Sequence, residues 1–229
     1  MLAHTSQEFE AELRRLKEQL LAMGGRCERM LHMAGRAIAE QDTELAKQVI
    51  DLDRRTNADE RSIDDMAVRI LALRQPVGRD LRFTITAVKV VTDLERIGDE
   101  AVNLAERAQE LAELPQLPPP AHDLPRMAKL AGDVLHAALD SFVHEDAKAA
   151  EEVFRMDDGV DDLYGDVLMQ SLAFMEAHPE RVPAGMRVAS CAKYFERIAD
   201  HATNIAEMVV FLVRGEDVRH VGKLRVSKS

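Results

Sequence analysis

Apolar residues recur along this chain at the three- and four-residue intervals of amphipathic helices, and polar or proline-bearing breaks divide them into six runs. In the first run Phe9, Leu13, Leu16, Leu20, Met23, Cys27, Met30, Leu31 and Ala34 hold one face to Ala39. Thr5 or Ser6 is placed to cap this helix, with Glu8 and Glu10 near its positive end. Gly24-Gly25 lies inside the run and predicts a bend. The turn Gln41-Asp42-Thr43 leads to a second run through Val49, Leu52, Ile63, Met66, Ile70 and Leu73. Pro76 lacks a backbone donor and Gly78 permits a turn, so this helix is expected to end near Gln75. A third helix is expected from Leu81 to Leu114.

Five prolines in the eleven residues Pro115–Pro125 then mark a boundary. Beyond it the plan repeats. Helices are expected over Leu124–Val143, Ala147–Ala177 and Ala184–Val213, separated by His144-Glu145-Asp146 and by HPERVP, His178 to Pro183. Gly215 closes the last one. The fold class expected is therefore all-α, two tandem antiparallel three-helix bundles. Residues 1–114 form the first unit, 115–125 the linker, 126–214 the second unit, and 215–229 a tail with little regular structure.

The halves share more than a plan. DLERIGDEAVNLAE, from Asp93 to Glu106, returns as YFERIADHATNIAE, from Tyr194 to Glu207, with eight of fourteen positions identical. Such density points to a duplicated unit. Glu95, Asp99 and Asn103, like Glu196, Asp200 and Asn204, follow i, i+4, i+8 spacing and line one side of a helix, with Glu106 and Glu207 a turn further. Leu94, Ile97, Ala101, Leu104, Ala105 and Ala108 lie on a face roughly 140° away. Core packing thus accounts for the apolar face and leaves the oxygen-bearing one unexplained. Carboxylates at i, i+4 repel each other slightly, a penalty that a cation would reverse.

Composition narrows the field. Trp is absent, Tyr occurs twice, and the formal net charge is −11, which disfavours free nucleic acid and anionic membrane surfaces as partners. The two cysteines, Cys27 and Cys191, form neither a CxxC pair nor a metal set with a nearby His, which fits a reducing compartment. The N-terminal stretch lacks the apolar core of a signal peptide, and no window approaches the ~20 apolar residues of a membrane span. A cytoplasmic location without membrane insertion is expected.

The preceding helix of each half adds oxygens at matched places: Asp53 and Asn57 in the first, Asp157 and Asp161 in the second. In an antiparallel bundle they can meet the repeated stretch. Two metal sites are expected, one of Asp53, Asn57, Glu95 and Asp99, the other of Asp157, Asp161, Glu196 and Asp200. Oxygen donors without thiolate or imidazole favour Mg²⁺ or Mn²⁺, admit Fe, and suit Zn less. Asn103 and Asn204 are placed either to ligate or to orient a carboxylate. Arg96 and Arg197 are placed to neutralise each cluster without metal. The bland alternative is a solvated acidic face. Asp158 and Asp162 offer a second register, and His201, opposite Glu100 in the repeat, is expected to be exposed. Met23, Met30, Met66 and Met169 are read as core, and Asp80 and Arg82 as contacts or caps.

These residues resemble the PhoU family. Arg74-Gln75-Pro76 with Asp80-Leu81-Arg82 match its RQP…DLR segment, Glu95–Asp99 and Glu196–Asp200 its paired ERIGD-type helices, and Gly215, Asp217 and His220 its closing GxDxxH element. The second copy departs in having Ala199 for the usual Gly and Tyr194-Phe195 before its Glu. The resemblance implies a non-enzymatic cytoplasmic regulator that couples the ATPase subunit of a phosphate ABC transporter to a sensor histidine kinase and holds the phosphate-starvation response off. It also implies metal ions bound through E(D)xxxD motifs, and a homodimer.

Two other readings compete. A di-metal carboxylate enzyme would carry Glu-x-x-His pairs, but Gly98 and Ala199 stand three residues after Glu95 and Glu196. A metal-free acidic interaction bundle would need no ion at all. Neither a phosphate-cradling GKS/GKT loop nor a Gly-x-Ser-x-Gly elbow is present.

Overall fold

Each helix begins and ends where local chemistry demands it. The structure, a computed structural model, describes residues 2–218, with side chains from residue 7 onward. His220 and the tail from residue 219 lie outside the described residues. The helices are α1 (Leu2–Glu40), α2 (Thr43–Arg74), α3 (Gly78–Ala112), α4 (Leu124–His144), α5 (Ala147–Ala177) and α6 (Val182–Arg214). No strand occurs among the described residues.

The duplication extends to the caps. Asp42 accepts hydrogen bonds from the amides of Glu44 and Leu45, and Asp146 accepts them from Lys148 and Ala149, so α2 and α5 start on the same device. Gln75, in the left-handed region with φ of 46°, ends α2 ahead of Pro76. At Gly215, φ of 75° lets its amide reach the Phe211 carbonyl at 2.8 Å and close α6. Thr5 and Ser6 do not start α1, which already runs from Leu2. Gly24-Gly25 does not interrupt it either. A Cβ on Gly24 would stand 2.8 Å from Leu139 Cδ2, so this glycine lets α4 approach α1. At Gly35 the same holds against Ala128, at 2.6 Å.

Helices α1, α2 and α3 pack together, as do α4, α5 and α6, and the two units join through α3 against α6 and α1 against α4. One apolar core runs through both, from Leu16 on α1 to Leu212 on α6. Between α3 and α4 the linker forms a short 3-10 turn, Pro119–Asp123, whose Pro120 and Ala121 are buried. Met23 and Met30 are buried and Met66 partly so, but Met169 is 67% exposed and does not belong to the core. No described helix is long and apolar enough to cross a membrane.

A polar seam crosses the contact between α3 and α6. Glu100, only 2% exposed, takes the Arg197 guanidinium at 2.9 Å and the Asn103 amide at 3.1 Å. Nearby, Asp93 Oδ1 contacts His201 Nδ1 at 2.9 Å and accepts from Asn204 Nδ2 at 3.0 Å. Arg187 on α6 adds a pair with Glu110 on α3 at 2.8 Å. Removing one partner of a buried pair leaves the other unsatisfied. Glu100→Ala is therefore expected to lower unfolding stability by about 1–3 kcal/mol, with Glu100→Gln losing less. Urea denaturation of the three proteins measures this, and identical midpoints would assign the seam's strength to apolar packing alone.

Candidate metal centres

Helical spacing places the acidic residues, and packing brings them together. On α3, Ile97 and Ala101 are fully buried, which turns Glu95 and Asp99 toward the groove with α2. Gly98 makes the approach close: a Cβ there would meet Thr56 Cγ2 at 3.1 Å and Asp53 Oδ1 at 3.5 Å. Asn57 Nδ2 donates to Asp53 Oδ2 at 2.7 Å, while Asp53 Oδ1 is buried without a hydrogen-bond partner.

Burial first, then repulsion from Asp99, pushes the Asp53 carboxyl above the ordinary aspartate range, against the opposing bond from Asn57. Glu95 is pushed up by the same sequence of causes, with Glu60 and Asp53 adding to Asp99 and Arg96 opposing. Asp53, Asn57, Glu95 and Asp99 thus share the α2–α3 groove as a candidate centre, with Glu60 near enough to add to the repulsion at Glu95. Glu60 is the residue that sequence reading missed. Its signal was its position seven residues after Asp53, on the same helix face.

The second centre lies between α5 and α6. Asp157 Oδ1 is buried and unpartnered, and burial together with Asp161, Asp200, Asp158 and Glu196 holds the Asp157 carboxyl up at about 7. Asp161 is raised by burial, then by Asp200 and Glu196. Asp157 is half-buried where Asp158 is exposed, and Asp161, though itself exposed, feels Asp200 and Glu196, so Asp157 with Asp161 is the register that faces α6. Here the resident cation is Lys193, whose Nζ stands 2.7 and 2.6 Å from the two carboxylate oxygens of Glu196. It was missed although it sits one turn before Glu196, at a pairing distance along the helix.

Three expectations are corrected here. Arg96 does flank its own cluster, at 3.5 Å from Glu95 and 3.9 Å from Asp99, but Arg197 leaves its cluster for Glu100 on α3. Asn103 and Asn204 donate to Glu100 and Asp93 in the seam, not to the clustered carboxylates. His201 is not exposed: its ring is 20% accessible and rests on Asp93. For Arg197, His201 and Asn204 the cause is the packing of α3 against α6, whereas Asn103 is held by Glu100 on its own helix. Arg82, near the start of α3, donates through Nε to the Leu212 carbonyl at 3.3 Å.

Chemically the clusters hold desolvated, mutually repelling carboxylates with an unpartnered oxygen in each half, which fits a hard cation. Among the described residues no three His, Cys, Asp or Glu side chains are arranged to hold one as they stand. Closing around an ion therefore requires side-chain movement, including that of the resident Arg96 and Lys193.

The raised Asp157 gives a pH signature without metal. An unfolded aspartate titrates near ~3.9, whereas the folded residue keeps its proton to about 7. Between these values the folded chain holds a proton that the unfolded chain has released, so metal-free stability is full below about pH 4 and falls as pH rises to about 7. Asp157→Asn removes the penalty. Melts in chelator are expected to show Asp157→Asn above wild type by about 2–4 °C at about pH 8, once solvent screening at its exposed edge is allowed for, with no gap at about pH 4. Coincident melts at both pH values would show that the buried carboxylate carries no such penalty.

Comparison with known proteins places this fold. The PhoU domain family matches residues 20–108 and again 124–209. The chain is 41% identical over 225 residues to the phosphate-specific transport system accessory protein PhoU homolog of Pseudomonas aeruginosa, covering 98% of this chain and 93% of that one. It is 36% identical over 219 residues to phosphate-specific transport system accessory protein PhoU of Escherichia coli, covering 96% and 90%. The crystal structure of PhoU from Pseudomonas aeruginosa superposes with a TM-score of 0.88 at 40% identity, over 91% of this chain and 100% of that one. The phosphate transport system regulatory protein PhoU from Streptococcus pneumoniae gives 0.85 at 30% identity, over 92% and 99%. With both halves matched by the domain and nearly the whole length matched by relatives, this chain belongs to the PhoU family.

Proposed function

We propose that this chain is a cytoplasmic accessory regulator of phosphate transport, linking the ATPase subunit of a phosphate ABC transporter to the sensor histidine kinase of a phosphate two-component system. It acts as a negative regulator of phosphate uptake and of the phosphate-starvation response, by protein contact and without catalysis, as a homodimer. The observation that carries this reading is the match at 41% identity across 98% of the chain to a protein named as the accessory component of that transport system. Helices α1 to α6 run as one packed body with no nucleotide-binding loop, which suits an adaptor better than an NTPase.

In this reading each acidic centre binds a divalent or trivalent ion, Mg, Mn or Fe in preference to Zn, through Asp53, Asn57, Glu95 and Asp99, and through Asp157, Asp161, Glu196 and Asp200. Asp53 Oδ1 and Asp157 Oδ1, each buried and without a hydrogen-bond partner, support it. The bound ion would relieve repulsion across the α2–α3 and α5–α6 grooves and so stiffen the outer faces that partners meet.

A bacterium deleted for its own PhoU tests the regulatory part. Expression of this chain is expected to restore repression of phosphate-starvation genes in phosphate-rich medium. Persistent expression of those genes, with the folded chain present at normal level, would overturn the assignment. The metal part has a separate test in elemental analysis of protein purified without chelator. Stoichiometric metal is expected in the wild type and its loss in Asp99→Asn/Asp200→Asn. Absence of metal from a folded wild type after incubation with Mn²⁺ and Fe²⁺ would sink it.

A further inference from the structure

The two centres are copies, but at matched positions they differ in charge. Asp53 matches Asp157 and Glu95 matches Glu196, so Glu60 corresponds to Tyr164 and Thr92 to Lys193. The first half thus has an acid where the second has a phenol ring, and Asn57 where the second has Asp161, so the two exchanges of acid offset each other. Where the second has an ammonium, the first has a hydroxyl. Thr92 spends that hydroxyl on its own helix, donating to the Val88 carbonyl at 3.1 Å. Lys193 is held instead by the centre. Its Nζ lies within 2.7 Å of both oxygens of Glu196 and 5.2 Å from the centroid of the Tyr164 ring. An ammonium between a carboxylate and an aromatic face gains from both.

The first centre has only a looser substitute. Arg96 stands 3.5 Å from Glu95 and 3.9 Å from Asp99, with its side chain 54% exposed. The equivalent arginine of the second half, Arg197, is committed to Glu100 across the seam. Each centre therefore carries one cation, weakly held in the first and bidentate in the second.

We infer that Lys193, seated on Tyr164, is a built-in counter-ion of the second centre which a metal ion must displace, so that the two centres load unequally, the first ahead of the second. Lys193 is then the residue that sets the order. The inference rests on the metal reading above and adds that the copies have diverged into a tight and a weak site. Displacement leaves Lys193 free to swing out from the α5–α6 face, so loading of the second centre changes the charge this face presents.

The test is Mn²⁺ binding to the full chain, followed by loss of the free-ion electron paramagnetic resonance signal and by calorimetry. Two classes of site are expected, with Asp99→Asn removing the tighter and Asp200→Asn the weaker. Lys193→Thr, which installs the residue of the first half, is expected to tighten the weaker class roughly tenfold, the scale of one charge-assisted contact. Thr92→Lys is expected to weaken the tighter class by a similar factor, and it guards against a Lys193 variant that simply fails to fold. Two equal classes, or classes unmoved by both substitutions, would overturn the inequality while leaving the metal reading intact. No Mn²⁺ bound by the folded wild type or by Lys193→Thr would remove the metal reading, and this inference with it.

Discussion

The packing of α3 against α6 is the constraint on which the rest of the molecule depends. Each of these helices is covered on three sides, α3 by α1, α2 and α6, and α6 by α4, α5 and α3. Nearly the whole circumference must therefore satisfy some neighbour. The apolar positions go to the shared core, and the remaining two stripes carry polar groups with opposite tasks. One stripe faces the twin helix and the other faces the groove in its own half.

Adjacent residues divide these tasks. Glu196 points into its groove and Arg197 crosses to Glu100, while Asp200 stays in its groove and His201 crosses to Asp93. On α3, Asp99 belongs to the groove and Glu100 to the seam. A hundred-degree step per residue makes this division unavoidable for neighbours on a helix whose two sides are both occupied. The duplicated stretch is thus as much a device for joining the halves as for lining an acidic centre. Shifts in either groove are also placed within one residue of the contact between the units.

Duplication has been followed by divergence where symmetry would cost energy. In two identical copies the matched positions of Glu100 and His201 would carry one residue type, and either Arg197 or Asp93 would lose its present partner. With Glu100 in one copy and His201 in the other, the seam instead gains a carboxylate for Arg197 and an imidazole for Asp93. The same divergence reaches the centres, where Glu60 and Thr92 face Tyr164 and Lys193 at matched positions. Asp53, Glu95 and Asp99 keep acids at the matched Asp157, Glu196 and Asp200, while their companions are exchanged without altering the fold.

The sequence by itself determined the helices, the breaks and the repeat. Periodicity, prolines and the Asp42 and Asp146 caps are local, and local chemistry sets where a helix starts and stops. It also determined which face of α3 and α6 carries Glu95, Asp99, Glu196 and Asp200, because helical geometry alone orders a face. Only the tertiary structure decided what each face meets. Gly24 read as a bend because a glycine in a helix has no local purpose, yet its purpose is Leu139 on another helix. Asn204, His201 and Arg197 read as members or bystanders of the acidic clusters, and the α3–α6 contact assigned them to the seam. Lys193 and Glu60 entered the centres for the same reason: a charge acquires its partners from elements distant in sequence, and no local pattern records that distance.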